Sequence, residues 1–332
     1  MSELPLLVVS CDRYADLWRP FFQLFWRRWP DFGGQIHLGS NYATYDDPRV
    51  QPLRVGDDVT WAASLRNMLD RIPGEYVIVM LEDFLLMQPV DNARIQRLAH
   101  IAMSEQVGCL RLYSIYPPEH QVAEYQELGA FNPGDPWRIT AQAAIWRIAT
   151  LRKLLVPGFS AWDFELVGSR MSDFMPDRIW GVKEPALVYD HAVEKGRWRP
   201  QGLTICADAG IEVDLAKRGA FTPAELQQHE QVGAAAAGIA LRKTAAIRHF
   251  TEGRRADGMR DLLWCLRRQP ASLQLWTIAA TGLTGPGSMT LLQRLHLRMK
   301  VANATRRYHD VMRQRRSQPA AVTPAGGTGR QA

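Results

Sequence analysis

Two acidic residues, Glu82 and Asp83, end the run YVIVML, whose apolar side chains would be covered on both faces of a sheet. Adjacent carboxylates in that position cost free energy unless they meet a cation, a metal or a ligand. A helix cap or an arginine partner would be the purely structural outcome for one of them. A second carboxylate pair, Asp163 and Glu165, stands in WDFE at the start of a helical stretch. Asp163 suits the N-cap position. Glu165 lies inside the first turn between Phe164 and Leu166, where partial burial would raise its pKa. The first apolar run, LPLLVVS, ends in a polar cluster holding Ser10, Asp12, Arg13 and Tyr14. Ligands of an open α/β sheet bind outside the carboxyl ends of its strands, so this cluster and the acidic pair are expected at one edge.

The elements that would position these groups alternate. Residues 4–10 read as a buried strand, and Asp16 to Trp29 as an aromatic-rich helix with Pro20 tolerated only in its first turn. Ile36 to Gly39 is a second strand, followed by a turn-rich stretch to Pro48. Thr60 caps a helix through Ile72, Tyr76 to Leu81 is the central strand, Asp91 caps a helix to about Gln106, and Cys109 to Tyr113 returns as a strand. This order indicates an α/β layer fold with a mostly parallel sheet. Beyond it, Ile139 to Trp146 reads as a strand, Thr150 to Leu155 and Trp162 to Met171 as helices, and residues 186–193 as a strand. From about residue 212 the pattern is helical, and the Pro/Gly/Ala-rich stretch from 317 is expected to be disordered.

Composition sets limits. The 332 residues are 46% hydrophobic and 22% charged, an ordinary globular balance for one large or two modest domains. Four scattered cysteines with no CxxC pair suit reduced thiols rather than a disulfide framework or a zinc site. The start lacks a basic n-region and no run of about 18 apolar residues occurs, so a soluble cytoplasmic protein is expected. The net charge of +6 is uneven: residues 1–240 hold 23 Lys and Arg against 30 Asp and Glu, whereas residues 241–316 hold 16 against 4. A basic, Leu- and Trp-bearing region of that kind predicts either an anionic partner surface or packing onto the acidic part of the chain.

The segment GDDVTWAASLRNMLDRIPGEYVIVMLEDF resembles the core of GT-A glycosyltransferases, particularly the inverting family 2. Arg66-Asn67 stands where that family carries an Arg-Asn pair on a helix, Gly74-Glu75-Tyr76 at its strand start, and Glu82-Asp83 at its acidic position. The opening LLVVSCDRY is similar to its first strand and donor-base loop, and ITAQAAIWR followed by WDFELVGSR to its acceptor strand and catalytic helix start. The resemblance spans about residues 4–200. It implies a GT-A domain over 1–210, with a donor half to about 115 and an acceptor half from 116, a helical basic region over 211–316, and a tail over 317–332.

The resemblance further implies roles. Ser10, Asp12, Arg13, Tyr14 and Asp58 would meet the donor nucleotide, and Arg66 would reach its diphosphate or the acidic pair. Glu165, or else Asp163, would be the general base that takes the acceptor hydroxyl proton. Trp162 would stack on an acceptor sugar and Gln142 would hydrogen-bond to it. The acidic motif departs from Asp-x-Asp, since Phe84 follows the pair. Asp83, with His191 as a second group, is then the expected site of Mg²⁺ or Mn²⁺, which commonly completes its shell with substrate phosphates. The alternative is that basic side chains of EKGRWR, Lys195 and Arg197, hold the diphosphate. The implied activity is transfer of a hexose-type sugar, with inversion, from a nucleotide-sugar donor to a glycan or lipid-linked acceptor in bacterial surface polysaccharide synthesis, with an anionic membrane surface as a further expected partner. No nucleic acid partner is expected, because the arginines of 254–268 alternate with Leu262, Leu263, Trp264 and Leu266. Two other classes remain: a nucleotidyltransferase-like enzyme, which would usually carry a glycine-rich phosphate loop that SCDRYADLW lacks, and a non-catalytic basic binding protein.

Overall fold

In the computed structural model, which describes residues 3–57 and 60–317, one nine-stranded sheet organises the chain. Its strands are β1 (Leu6–Val9), β2 (Ile36–Ser40), β3 (Val50–Arg54), β4 (Tyr76–Leu81), β6 (Cys109–Arg111), β7 (His120–Gln121), β8 (Leu128–Ala130), β9 (Ala144–Arg147) and β10 (Ile179–Val182). The short β5 (Phe84–Leu86) pairs outside it with β11 (Tyr189–His191), and β12 (Val193–Glu194) forms a hairpin with β13 (Arg197–Trp198). The order is β3-β2-β1-β4-β9-β6-β10-β8-β7, and only β9 and β8 run against the rest. A mostly parallel α/β sheet with flanking helices and a helical C-terminal region is thus the fold, as the alternation of elements predicts.

Both faces of the sheet are covered, which is why β1 and β4 are apolar throughout. Leu6, Val8, Ile78 and Met80 point into one core with α1 (Trp18–Arg28) and α3 (Asn92–Ser104). Leu7, Val9, Val77 and Val79 point into the other with α2 (Trp61–Leu69), α4 (Ile148–Leu154) and α5 (Ala161–Ser172). Thr60 and Asp91 cap α2 and α3 as expected, and Pro20 falls in the first turn of α1. The edge strand β3 was not foreseen, because Pro52 interrupts its ladder and suits only an edge position. The strand expected from Ile139 is confined to β9. The backbone N–H of Ile139 goes to the Ser169 hydroxyl and that of Ala141 to the Glu165 carboxylate, so 139–143 is a loop tied to α5.

The helical region begins beyond α6 (Pro200–Asp208) and comprises α7 (Pro223–Thr251), α8 (Arg255–Leu266), α9 (Leu273–Thr284) and α10 (Pro286–Ser317). Its core is built around Phe250, whose ring lies against Gly258 and Gly282; a Cβ at either would meet it at 2.8 or 2.7 Å. Leu262 and Leu266 belong to this core, so the apolar face expected on α8 is spent internally and Leu263 alone of its leucines is exposed. The region also docks on the sheet unit. Arg248 pairs with Asp135 at 3.0 Å, Arg197 with Glu225 at 3.1 Å, and Arg199 with Glu230 at 3.0 Å. Gly158, in the left-handed region at φ 95°, lets the backbone of α10 at Ala304 approach closely.

Candidate active site

The parallel strands β1, β2, β3 and β4 end at one edge, and there Asp12 acts as a clasp. Its carboxylate accepts the backbone N–H groups of Asn41 at 2.8 Å, Tyr42 at 3.0 Å and Ala43 at 3.1 Å. Its own N–H donates to Asn41 Oδ1 at 3.0 Å, and the Asn41 amide donates to the Gly56 carbonyl at 2.8 Å. One carboxylate and one amide therefore tie together the loops after β1, β2 and β3. Ser10 accepts the Trp18 indole N–H at 2.7 Å, which fixes the start of α1 to the same edge. Arg13 and Tyr14 are joined by a guanidinium over the Tyr14 ring at 5.4 Å, and Arg218 lies over that ring at 4.6 Å. Asp58 lies outside the described residues. Its neighbour Asp57 accepts the Tyr42 hydroxyl at 2.7 Å and opens onto a cleft of about 320 Å³ walled by Ser64 and Asn67 on one side and by Tyr308, Met312 and Arg315 of α10 on the other.

The acidic pair divides its tasks. Glu82 is buried, and desolvation together with the neighbouring Asp83 charge pushes its pKa well above the usual carboxylate range. Asp83 faces His191, with Oδ2 3.5 Å from Nδ1, and its carbonyl accepts the Ala192 N–H at 2.7 Å. Burial alone would lower the His191 pKa, but the hydrogen bond and charge of Asp83 outweigh it and the net shift is upward. Phe84 stacks on Tyr189 with centroids 4.4 Å apart and meets His191 edge-on at 4.9 Å, fixing the imidazole plane.

The antiparallel strand β9 starts at this same edge, so the loop before it arrives beside His191. Gln142 accepts the Tyr189 hydroxyl at 2.6 Å, and its amide nitrogen lies 3.5 Å from His191 Nε2. One residue earlier, the Ala141 N–H donates to Glu165 Oε1 at 2.8 Å. Burial raises the Glu165 pKa, and that N–H, the Arg111 guanidinium and His191 oppose the rise only in part. Glu165, Gln142, His191 and Asp83 therefore form one cluster across the edge.

Several expected residues stand elsewhere. Arg66 does not reach the acidic pair: its Nη1 donates to the carbonyls of Arg152 at 2.9 Å and Leu155 at 3.2 Å, where it caps α4. Asp163 is not the N-cap; Ser160 is, and Asp163 closes a capping box from the third helical position. Arg197 is committed to the Ala220 carbonyl, the Phe221 ring and Glu225, away from the acidic pair. Lys195 sits exposed at the tip of the β12–β13 hairpin with φ 48°, and Trp162 is 67% exposed on α5.

Three participants escaped the sequence. Tyr189 lies two positions before His191 on β11, and the period of two along a strand is the signal that places both on one side. Arg111 is a charge inside the apolar strand CLRLY. Burial lowers its pKa to about 10, and it lies over the Phe131 ring at 3.8 Å. Arg218 reaches back across the chain to Asp16 through two 2.7 Å contacts, with Lys217 adding a third at 3.1 Å. No motif in the sequence announces that ion pair.

No family model and no curated protein sequence matches this chain. Among solved structures it is similar to Staphylococcus aureus TarS 1-349 in complex with UDP, at 13% identity over 97% of this chain and 95% of that one, with a TM-score of 0.43. The complex of TarS 1-349 with UDP-GlcNAc is similar at 12% identity over 94% and 92%, also at 0.43. Bifunctional IspDF from Campylobacter jejuni is similar at 18% identity over 55% of this chain and 49% of that one, with a TM-score of 0.31.

Proposed function

We propose that the protein is an inverting glycosyltransferase that uses a uridine or guanosine diphosphate sugar. The observation that carries this reading is the convergence of Asp83, His191, Gln142 and Glu165 at the carboxyl edge of one sheet. The site would hold a leaving group and an attacking hydroxyl at its two ends. Glu165 keeps Oε1 on the Ala141 N–H, which leaves Oε2 to take the acceptor hydroxyl proton. Its raised pKa suits that transfer, because a base near the working pH accepts a proton most effectively. The hydroxyl oxygen then bonds to the anomeric carbon as the bond to the diphosphate oxygen breaks. Gln142 would orient a sugar hydroxyl, and the nucleoside would lie along the edge that Asp12 clasps.

Charge on the leaving diphosphate needs a counterpart. Among the described residues no three His, Cys, Asp or Glu side chains are spaced to hold one metal ion, and Asp83 with His191 offers two donors. That set fits a hard cation whose remaining ligands are substrate phosphates and water. Mg²⁺ or Mn²⁺ held there would supply positive charge to the leaving group. In its protonated form His191 supplies the same charge without a metal. Hydrolysis of a panel of nucleotide-sugars, with and without Mg²⁺ or Mn²⁺, tests the reading: turnover of at least one donor is the expected result, and turnover of none across the panel refutes it.

The acceptor would be a growing or lipid-linked bacterial glycan. No described helix is long and apolar enough to cross a membrane, yet α9 exposes Leu273, Trp276 and Leu283 and α10 exposes Leu291, Leu295 and Met299 beside Arg298, Lys300 and Arg306. We read this surface as a peripheral contact with an anionic inner leaflet, where each basic residue contributes about 1 kcal/mol. Flotation with anionic liposomes at low salt, lost at high salt, is the expected result. Protein that stays in the soluble fraction at low salt leaves docking onto the acidic sheet unit as the sole role of these charges.

A further inference from the structure

The acceptor edge carries an aromatic surface that the roles above leave unused. Strand β6 runs in the same direction as β4, so the segment that follows it leaves at the same edge as Asp83. Tyr116 on that segment is 44% exposed and meets Trp137 with ring centroids 6.1 Å apart, inclined at 64°. Trp137 itself has φ 50°, a left-handed conformation that is rare for a bulky side chain. Such a conformation persists only where the surroundings over-determine it.

They do so here. The Arg111 guanidinium donates to the Trp137 carbonyl, while the adjacent Arg138 is buried and donates to the carbonyls of Phe131 at 2.8 Å and Asp177 at 3.3 Å, and also to that of Ser172. Two arginines thus hold the backbone on either side of the indole. Its ring stays partly exposed, and its N–H has no hydrogen-bond partner among the described residues. The same loop continues four residues to Ala141, which holds Glu165, and Arg111 lies close enough to stabilise the Glu165 charge.

We infer that Trp137 and Tyr116 form a carbohydrate platform, on which a pyranose ring of a saccharide acceptor stacks beside Glu165. The apolar C–H face of a pyranose lies well against the negative face of an aromatic ring, and its hydroxyls satisfy the free indole N–H. A platform held rigid before binding loses little entropy when the sugar arrives. The ligand class follows from the surface itself, whereas its role as acceptor rests on the transferase reading above.

Stacking on a ring face tolerates differences in linkage, so short oligosaccharides serve as probes. Saturation-transfer NMR with N-acetylchitotetraose and with maltotetraose should show millimolar binding to the full-length protein. Trp137→Ala should weaken it roughly tenfold, Tyr116→Ala should weaken it less, and Trp137→Phe should retain it. Trp276→Ala, at an exposed tryptophan on α9, should leave it unchanged. Binding of neither saccharide, or binding unaffected by Trp137→Ala, overturns the platform. Failure of the transferase reading is separate: it shows as saccharide binding that persists while no nucleotide-sugar is turned over.

Discussion

The two halves of the carboxyl edge treat their polar groups differently. On the side of β1, β2 and β3, the charges are consumed by the fold: Asp12 and Asn41 together tie three loops, and Asp16 holds Arg218 and Lys217. On the side of β6, β9 and β11, satisfaction is incomplete. Among the described residues, Arg111 Nε, Ser114 Oγ and Thr140 Oγ1 are buried without a partner, and Glu165 keeps one carboxylate oxygen uncommitted. Buried polar atoms are normally paired, so a cluster of exceptions needs a reason. The first half reads as a scaffold that is finished before a ligand arrives, and the second as a surface completed by one. Glu82 and His37 are exceptions on the finished side: Glu82 is buried beside Asp83 with its carboxyl pushed toward the neutral form, and both ring nitrogens of His37 in β2 are buried without a partner among the described residues.

This contrast breaks most directly at Glu165. Glu165→Gln should cost about 10²–10⁴-fold in transfer rate while donor affinity holds, because only the proton acceptor is lost. The wild-type rate should climb with pH through a value above the ordinary glutamate pKa, since burial raises it and the base works ionised. That limb should vanish in the variant; a near wild-type rate removes Glu165 from the mechanism and passes the role to Asp163.

The scaffold side should answer in stability instead. Arg218→Met leaves Asp16 with Lys217 alone and should lower unfolding free energy by about 3 kcal/mol, near the lower end for breaking a buried pair. The Asp16 carboxyl is held below its ordinary range, burial opposing but Arg218 and Lys217 prevailing. Its contribution is therefore present above the unfolded pKa and lost as pH falls through the lower folded value. Chemical denaturation at pH 7 and pH 3 should show a smaller difference between variant and parent at pH 3.

Asp83 lies between the two regimes. Asp83→Ala should weaken nucleotide-diphosphate binding by roughly tenfold, one contact's worth, and abolish any stimulation by Mn²⁺. Calorimetry showing the same donor affinity with and without metal in both proteins would remove Asp83 from the site. The smallest effect is expected at its neighbour. Glu82→Gln should raise stability at pH 7 by about 1 kcal/mol, because glutamine brings no charge to desolvate. The folded pKa of Glu82 lies above the unfolded one, so its contribution is complete below the unfolded value and lost as pH rises through the folded value. The gain from glutamine should therefore grow between pH 4 and pH 7 in thermal melts, and a flat difference would mean that Glu82 is ionised in the folded protein.

Short-range rules carried the scaffold. The doubly covered strand β4 followed from six apolar residues in a row, the starts of α2 and α3 from Thr60 and Asp91, and the acidic edge from the place where YVIVML stops. These features depend on backbone geometry and on neighbours within a turn or a strand pair, so their signals lie within a few residues of each other. Pro52 hid β3 for the same reason, being a local mark against a strand that only an edge position tolerates.

Tertiary structure decided where the long side chains went. Arg66 looked placed for a diphosphate, but the position of α4 puts two unpaired helix-end carbonyls within its reach. Glu165 lies 26 residues before His191 in the chain and Asp83 lies 82 residues before Glu165, and they meet because antiparallel β9 returns its leading loop to the carboxyl end of β4. Arg218 finds Asp16 across the whole sheet unit. A flexible side chain settles on the nearest groups that repay its desolvation, and which groups are nearest is fixed by strand order rather than by spacing in the sequence.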